Sequence, residues 1–175
     1  MIEPRLIAPL GKFYDRSGLI LPEIEIIPGE AMPEPRCSLL VHTRDMTSTL
    51  ERFHGARCHI RTLQWLEDEA YSRLVVLELD GSGKPVEFGA ITIHLEAFRE
   101  HARELILERR LPLGTILNEE HIGFVSCPQA FFCVTADDLV AEALKVPPAT
   151  QLYARSNRLS TSDGQALAEI VEILP

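Results

Sequence analysis

The sequence predicts an α+β domain: a single antiparallel sheet of about six strands, with inserted helices covering one face. Two observations predict it. The first is a set of apolar runs of strand length at Cys58–Leu66, Tyr71–Leu79, Val86–His94, Gln151–Leu159 and Gln165–Ile173. The second is the turn chemistry between them. Asp80-Gly81-Ser82-Gly83-Lys84-Pro85 and Ser162-Asp163-Gly164 each send the chain back beside the strand it has just left. Strands joined by hairpins, with helices inserted, build antiparallel sheets. A further strand falls within His121–Val134, where Pro128 interrupts it.

The helical elements follow from periodicity and punctuation. Thr43 or Asp45 can cap a helix over Met46–His54, with Met46, Leu50 and Phe53 on one side. Phe98–Arg109 is amphipathic, its apolar side carrying Phe98, Ala102, Leu105 and Ile106, and Arg109-Arg110 suits the negative end of the helix dipole. Pro112-Leu113-Gly114 breaks the chain before a short turn through Ile116 and Leu117. Asp137–Leu144 is a brief helix. Residues 1–36 are different, because they hold six of the twelve prolines. That density predicts an extended arm with short edge-strand pieces, packed on a body that spans residues 37–175.

Composition removes several functions. At 175 residues and 46% hydrophobic the chain can bury one core and is not disordered. Seventeen basic against twenty-six acidic residues give a net charge of −9, which disfavours nucleic acid and anionic membrane as partners. No apolar run approaches a membrane span, and the first residues lack the basic start of a signal peptide, so a cytoplasmic address is expected. Cys37, Cys58, Cys127 and Cys133 form no CxxC pair and are expected to be small buried hydrophobes, with no metal and no cofactor. The fingerprints of nucleotide, zinc-protease and serine-hydrolase sites are missing. The six histidines are scattered, and His59 and its neighbour Cys58 face opposite sides of a strand.

The informative residues are charges in step with apolar strand positions. Arg73 shares a strand side with Val75 and Leu77, and a buried guanidinium must be paired or must reach an anion. Near the end, Glu172 shares a side with Ala168, Ile170 and Leu174, whereas Glu169 shares the other with Leu167, Val171 and Ile173. One of the two glutamates points inward. An arginine and an acid facing one cavity would take a small molecule bearing a carboxylate and a hydroxyl. An ordinary ion pair, or two side chains snorkelling at an edge, explains the same pattern.

Together these segments resemble the chorismate lyase superfamily, the chorismate–pyruvate lyase and 4-hydroxybenzoate synthetase group. The resemblance rests on Leu39-Leu40 followed by Asp45-Met46-Thr47-Ser48-Thr49-Leu50-Glu51, on Tyr71-Ser72-Arg73 seven residues before Asp80-Gly81, and on Pro85-Val86-Glu87-Phe88-Gly89-Ala90. Leu111-Pro112-Leu113-Gly114, Arg155-Ser156-Asn157-Arg158, Asp163-Gly164 and Glu172-Ile173-Leu174-Pro175 complete it, over residues 37–175. The final glutamate departs from the pattern: the family residue often stands four positions before the proline, and here Glu172 stands three before and Glu169 six. The first 36 residues have no counterpart.

What the resemblance implies is a ligand held between the sheet and covering helical flaps. Arg73 would clamp an aromatic ring carboxylate, helped by the backbone N–H of Leu113. Met46 would line the ligand, Gly89 would leave room for the ring, and Glu172, or Glu169 in its place, would sit near the ring hydroxyl. The implied reaction is elimination of pyruvate from chorismate to give 4-hydroxybenzoate or a related acid, with Arg73 and Glu172 catalytic. Aromatisation drives it without a cofactor, so the protein supplies orientation and a dry pocket. Regulatory domains of many bacterial repressors share this fold, so a non-catalytic module binding a small aromatic acid is the alternative, although residues 1–36 show no helix-turn-helix pattern. A fold member with a collapsed pocket is the third reading. The partner in the first two is a small molecule, and the sequence leaves monomer and dimer open.

Overall fold

The computed structural model describes residues 2–175. Seven strands form one antiparallel sheet: β1 (Ile24–Ile27), β2 (Cys58–Glu67), β3 (Tyr71–Leu79), β4 (Pro85–Ile93), β5 (Val125–Thr135), β6 (Gln151–Ser160) and β7 (Ala166–Leu174). Their order across the sheet is β1-β5-β6-β7-β4-β3-β2. The helices are α1 (Ala8–Ser17), α2 (Arg36–Leu40), α3 (Met46–His54), α4 (Glu100–Glu108), α5 (Leu113–Glu119) and α6 (Asp138–Leu144). The α+β class and the antiparallel sheet are those the hairpin chemistry predicts. The seventh strand is β1, an edge piece from the N-terminal segment paired with β5.

Strand alternation sorts the side chains onto two faces. On β3, Leu74 and Val76 join one core, with Phe88 and Ala90 of β4, Ala154 of β6 and Val171 and Ile173 of β7, under α1 and α6. Tyr71, Val75 and Leu77 point the other way, toward cores built on α2 to α5. Helices therefore cover both faces rather than one.

The N-terminal segment is the main correction. An extended arm is expected over residues 1–36, yet Ala8–Ser17 is a full α-helix after a 3₁₀ turn at Pro4–Ile7. Pro9 stands in the first turn of α1, where the missing N–H has no intrahelical use. The next proline is Pro22, so the helix interior is free of them. Leu10, Phe13 and Tyr14 make a helical stripe that is fully buried in the core under α1 and α6. Gly18, at φ 66°, ends the helix by returning its N–H to the carbonyls of Asp15 and Tyr14. Tyr14 Oη donates to Asp137 Oδ2 at 2.7 Å, and Asp137 Oδ1 accepts the Val140 N–H that caps α6. Core residues thus precede Cys37.

Smaller differences have local causes. Asp45, not Thr43, caps α3, with Oδ1 accepting from Ser48 N at 2.8 Å. The buried residues of α3 are Met46, Thr47, Thr49 and Leu50, so the helix dips into the molecule at its N-terminal end and Phe53 is left exposed. Phe98 precedes α4 as an extended residue and still packs inward. Of the four cysteines only Cys58 is buried; Cys127 is exposed and the other two are half-buried, because β5, which carries Cys127 and Cys133, lies next to the sheet edge. No described helix is long and apolar enough to cross a membrane.

Candidate functional site

Four strands contribute one row of side chains to the face under α3 and α5. Val75 of β3 is opposite Gly89 of β4, Gly89 is opposite Glu172 of β7, and Glu172 is opposite Arg155 of β6. Gly89 lacks a side chain in the middle of this row and so leaves a hollow in the sheet. A Cβ there would come within 3.0 Å of Glu87 Oε1 and 3.4 Å of Val75 Cγ2. The hollow is roofed by the N-terminal ends of α3 and α5. They approach so closely that a Cβ on Gly114 would lie 2.7 Å from Asp45 Oδ1 and 2.8 Å from Thr47 Oγ1, which only glycine avoids. The cavity and its open mouth together enclose about 530 Å³, solvent at the mouth included, and the fully enclosed part is small, about 60 Å³.

Arg73 enters this cavity from β3. Its side chain is 2% exposed and no carboxylate answers it. Nη2 donates to Leu111 O at 3.2 Å and Nη1 to Ile106 O at a marginal 3.5 Å. Nε is buried without a partner. Burial is the first cause that pulls the Arg73 pKa down from 12.5 to about 10. The two carbonyls belong to the end of α4 and the turn before α5, so the guanidinium also braces the roof.

The second buried arginine behaves differently. Arg155 is fully buried and its Nε donates to Glu172 Oε2. Its Nη1 donates to Leu40 O at 3.2 Å and His42 O at 3.1 Å, and its Nη2 reaches Arg44 O at 3.4 Å. The ion pair therefore ties the segment leading into α3 onto the sheet. His42 joins this knot: Nε2 donates to Leu39 O at 2.8 Å, and Nδ1 accepts from Arg44 N at 3.1 Å. Burial, then the Arg155 charge, lower the His42 pKa to about 4, so the ring is neutral at pH 7.

The structure thus brings Met46, Arg73, Gly89, Leu113 and Glu172 to one cavity. Leu113 opens α5, where its N–H has no intrahelical acceptor. Glu169 does not belong there. It lies on the opposite side of β7 and pairs with His94 at 2.8 Å, with 37% of its side chain exposed, so the choice between the two glutamates falls on Glu172. Glu172 does not face Arg73 as a partner; Arg155 has taken it.

Two residues escaped the sequence reading as site candidates: Arg155 and Glu87. Glu87 is 4% exposed, lines the cavity, and has Oε2 buried without a hydrogen-bond partner. Its signal was present, since it shares a strand side with Gly89 and Ile91 just as Arg73 does with Val75 and Leu77. Among the described residues no group of three His, Cys, Asp or Glu side chains could hold a metal.

No protein-family profile matches the sequence, and no curated protein does. Solved structures do. The ligand-binding domain of a putative GntR-family transcriptional regulator from Bordetella bronchiseptica is 15% identical with a TM-score of 0.52, covering 67% of this chain and 85% of that one. The effector domain of PhnF from Mycobacterium smegmatis is 14% identical with a TM-score of 0.56, over 75% and 88%. PhnF itself gives 12% and 0.60, over 97% and 93%. These likenesses are of fold: the chain has the chorismate lyase-like architecture.

Proposed function

We propose that this protein binds a small organic acid in the cavity beneath α3 and α5, with the carboxylate on Arg73. One observation carries the reading: a fully buried guanidinium without an acidic partner, one nitrogen idle, at the edge of a cavity. A buried cation left in this state is costly, and an incoming carboxylate supplies what it lacks, a desolvated bidentate pair. The walls beside it, Ile60, Val75, Ile91, Leu159 and Ile170, are apolar, and the hollow at Gly89 suits a flat ring. An aromatic acid of benzoate size is the expected class. Among the solved structures of similar fold are a ligand-binding domain and an effector domain of regulators, which supports binding without turnover.

A second reading is favoured by the buried acids. Glu87 and Glu172 lie at the cavity together with Arg73, an arrangement suited to chorismate: Arg73 and the Leu113 N–H would hold the ring carboxylate while an acid attends the ring oxygens. The bond between the ring carbon and the enolpyruvyl oxygen would break, the hydrogen on the carbon bearing the ring hydroxyl would be lost and a proton would end on the enolpyruvyl methylene, which gives pyruvate and an aromatic ring. One experiment separates the readings. The purified protein is titrated calorimetrically with benzoate and 4-hydroxybenzoate, then incubated with chorismate while pyruvate and 4-hydroxybenzoate are measured. Binding without pyruvate supports the module; pyruvate release lost in Arg73→Ala supports the lyase. Neither binding nor release would overturn both.

A further inference from the structure

The proposed carboxylate at Arg73 leaves the other end of the cavity unexplained. Glu87 lies there. On the cavity side of β4 the residues run Glu87, Gly89, Ile91, and Ile91 is the residue opposite Arg73. Glu87 is opposite Leu77, four residues along β3 from Arg73, about 13 Å of backbone at the usual strand rise. The two side chains therefore approach the hollow over Gly89 from opposite ends.

Resting on that reading of the cavity, we propose that Glu87 determines which acid fits: it keeps its proton in the folded protein and donates it in a hydrogen bond to an uncharged oxygen at the ligand's far end. The site then takes an acid carrying a hydroxyl or ether oxygen opposite its ring carboxylate, and rejects one with a second carboxylate at that position.

The charges around Glu87 argue for the proton. Glu172 on β7 lines the same cavity and already holds the charge of Arg155 on β6. On β2, Cys58 is a neutral thiol, pushed up to about 12 by burial first and then by nearby acids, Glu87 among them. On α3, Asp45 is engaged as the helix cap and Glu51 accepts from Cys58 N. His42 is neutral. Arg73 lies at the other end of the cavity. A negative charge on Glu87 would add to that of Glu172 in one buried site, with the single charge of Arg155 shared between them. Burial accordingly raises its pKa well above 4.5, with Glu172 adding to the rise and Arg155 opposing it. Geometry agrees, because Oε2 is buried and unpartnered. A buried carboxyl oxygen left idle is rare and costly, and here it borders the cavity a ligand would fill.

The test compares benzoate, 4-hydroxybenzoate and terephthalate by calorimetry at pH 7, using the wild-type chain, Glu87→Gln and Glu87→Leu. Wild type should bind 4-hydroxybenzoate about ten-fold tighter than benzoate, the worth of one good hydrogen bond, and terephthalate at least about ten-fold weaker than benzoate. Glu87→Gln, whose amide still donates, should keep the 4-hydroxybenzoate preference. Glu87→Leu should lose it, its affinities for 4-hydroxybenzoate and benzoate becoming equal. Independently of any variant's binding, the infrared spectrum of the ligand-free wild type at pH 7 should contain a protonated-carboxyl stretch that Glu87→Gln lacks. Absence of that band, an unaltered preference in Glu87→Leu, or terephthalate bound as well as benzoate would overturn the proposal. Those outcomes leave Arg73-dependent benzoate binding standing. Failure of the wild type to bind any of the three acids would instead sink the cavity reading itself, and this one with it.

Discussion

Arg73→Met should make the ligand-free protein more stable while removing its response to ligand. The guanidinium is 2% exposed and its best contact is the 3.2 Å donation to Leu111 O. Holding a charge whose pKa burial has moved from 12.5 to about 10 costs about 3 kcal/mol, at ~1.4 kcal/mol per pH unit. Methionine fills most of the volume without the charge, as buried ionic groups replaced by apolar side chains often allow. The loss is one hydrogen bond to Leu111, about 1 kcal/mol; the Ile106 carbonyl keeps a partner in the Arg109 N–H at 3.2 Å. The net is a gain of about 1–2 kcal/mol, or roughly 2–8 °C in Tm for a chain of this size. Thermal unfolding followed by circular dichroism at pH 7, with and without benzoate, measures both effects. Wild type should melt higher with benzoate, by about 2.7 kcal/mol at a hundred times Kd, and the variant should not move. A variant that melts well below wild type, or one that benzoate still stabilises, would refute the view that Arg73 is an unanswered charge awaiting a ligand.

The other buried arginine should respond in the opposite sense: Arg155→Leu strands Glu172 and should cost about 3–5 kcal/mol, read as a fall in the urea midpoint. Gly89→Ala places a methyl group against Glu87 and Val75; benzoate affinity should drop at least about ten-fold while stability changes by no more than about 1–3 kcal/mol. Phe13→Ala should cost about 3–5 kcal/mol in chemical denaturation, since α1 is part of the main core; a loss below about 1 kcal/mol would mean the segment merely rests on the surface. The pH dependence has a definite sign. The folded state holds the Glu87 proton to higher pH than the unfolded chain, so this group's contribution is fully present below about pH 4.5 and is lost as pH rises toward its folded pKa, with a slope of at most about 1.4 kcal/mol per pH unit. Stability of wild type relative to Glu87→Gln, measured from pH 5 upward, should therefore decline.

How much of this was legible before the structure depends on whether the information is local. The β3–β4 hairpin, the cap at Asp45 and the short helix at Asp138 are written in a few neighbouring residues, and they appear within a residue or two of where turn chemistry and periodicity put them. Helix α1 was equally local in its stripe of Leu10, Phe13 and Tyr14, but counting prolines over 36 residues concealed that only Pro9 lies inside it, at a harmless position. The roof was not legible, because nothing near Gly114 in sequence announces that Asp45 and Thr47 will press against it. The charge pairing lies between these cases. Arg155 and Glu172 are equidistant from the centre of the Asp163-Gly164 turn, so a tight hairpin sets them opposite one another, as observed. The same counting about the turn at Asp80–Lys84 sets Arg73 opposite Ile91. A buried-strand arginine whose hairpin partner is an isoleucine cannot be answered by the neighbouring strand on that side, and its other neighbour across the sheet is Trp65. Turn positions thus remove the flanking strands as the source of a partner, the third strand's inward acid is held by Arg155, and the covering segment answers Arg73 with the carbonyls of Ile106 and Leu111 and not with a carboxylate.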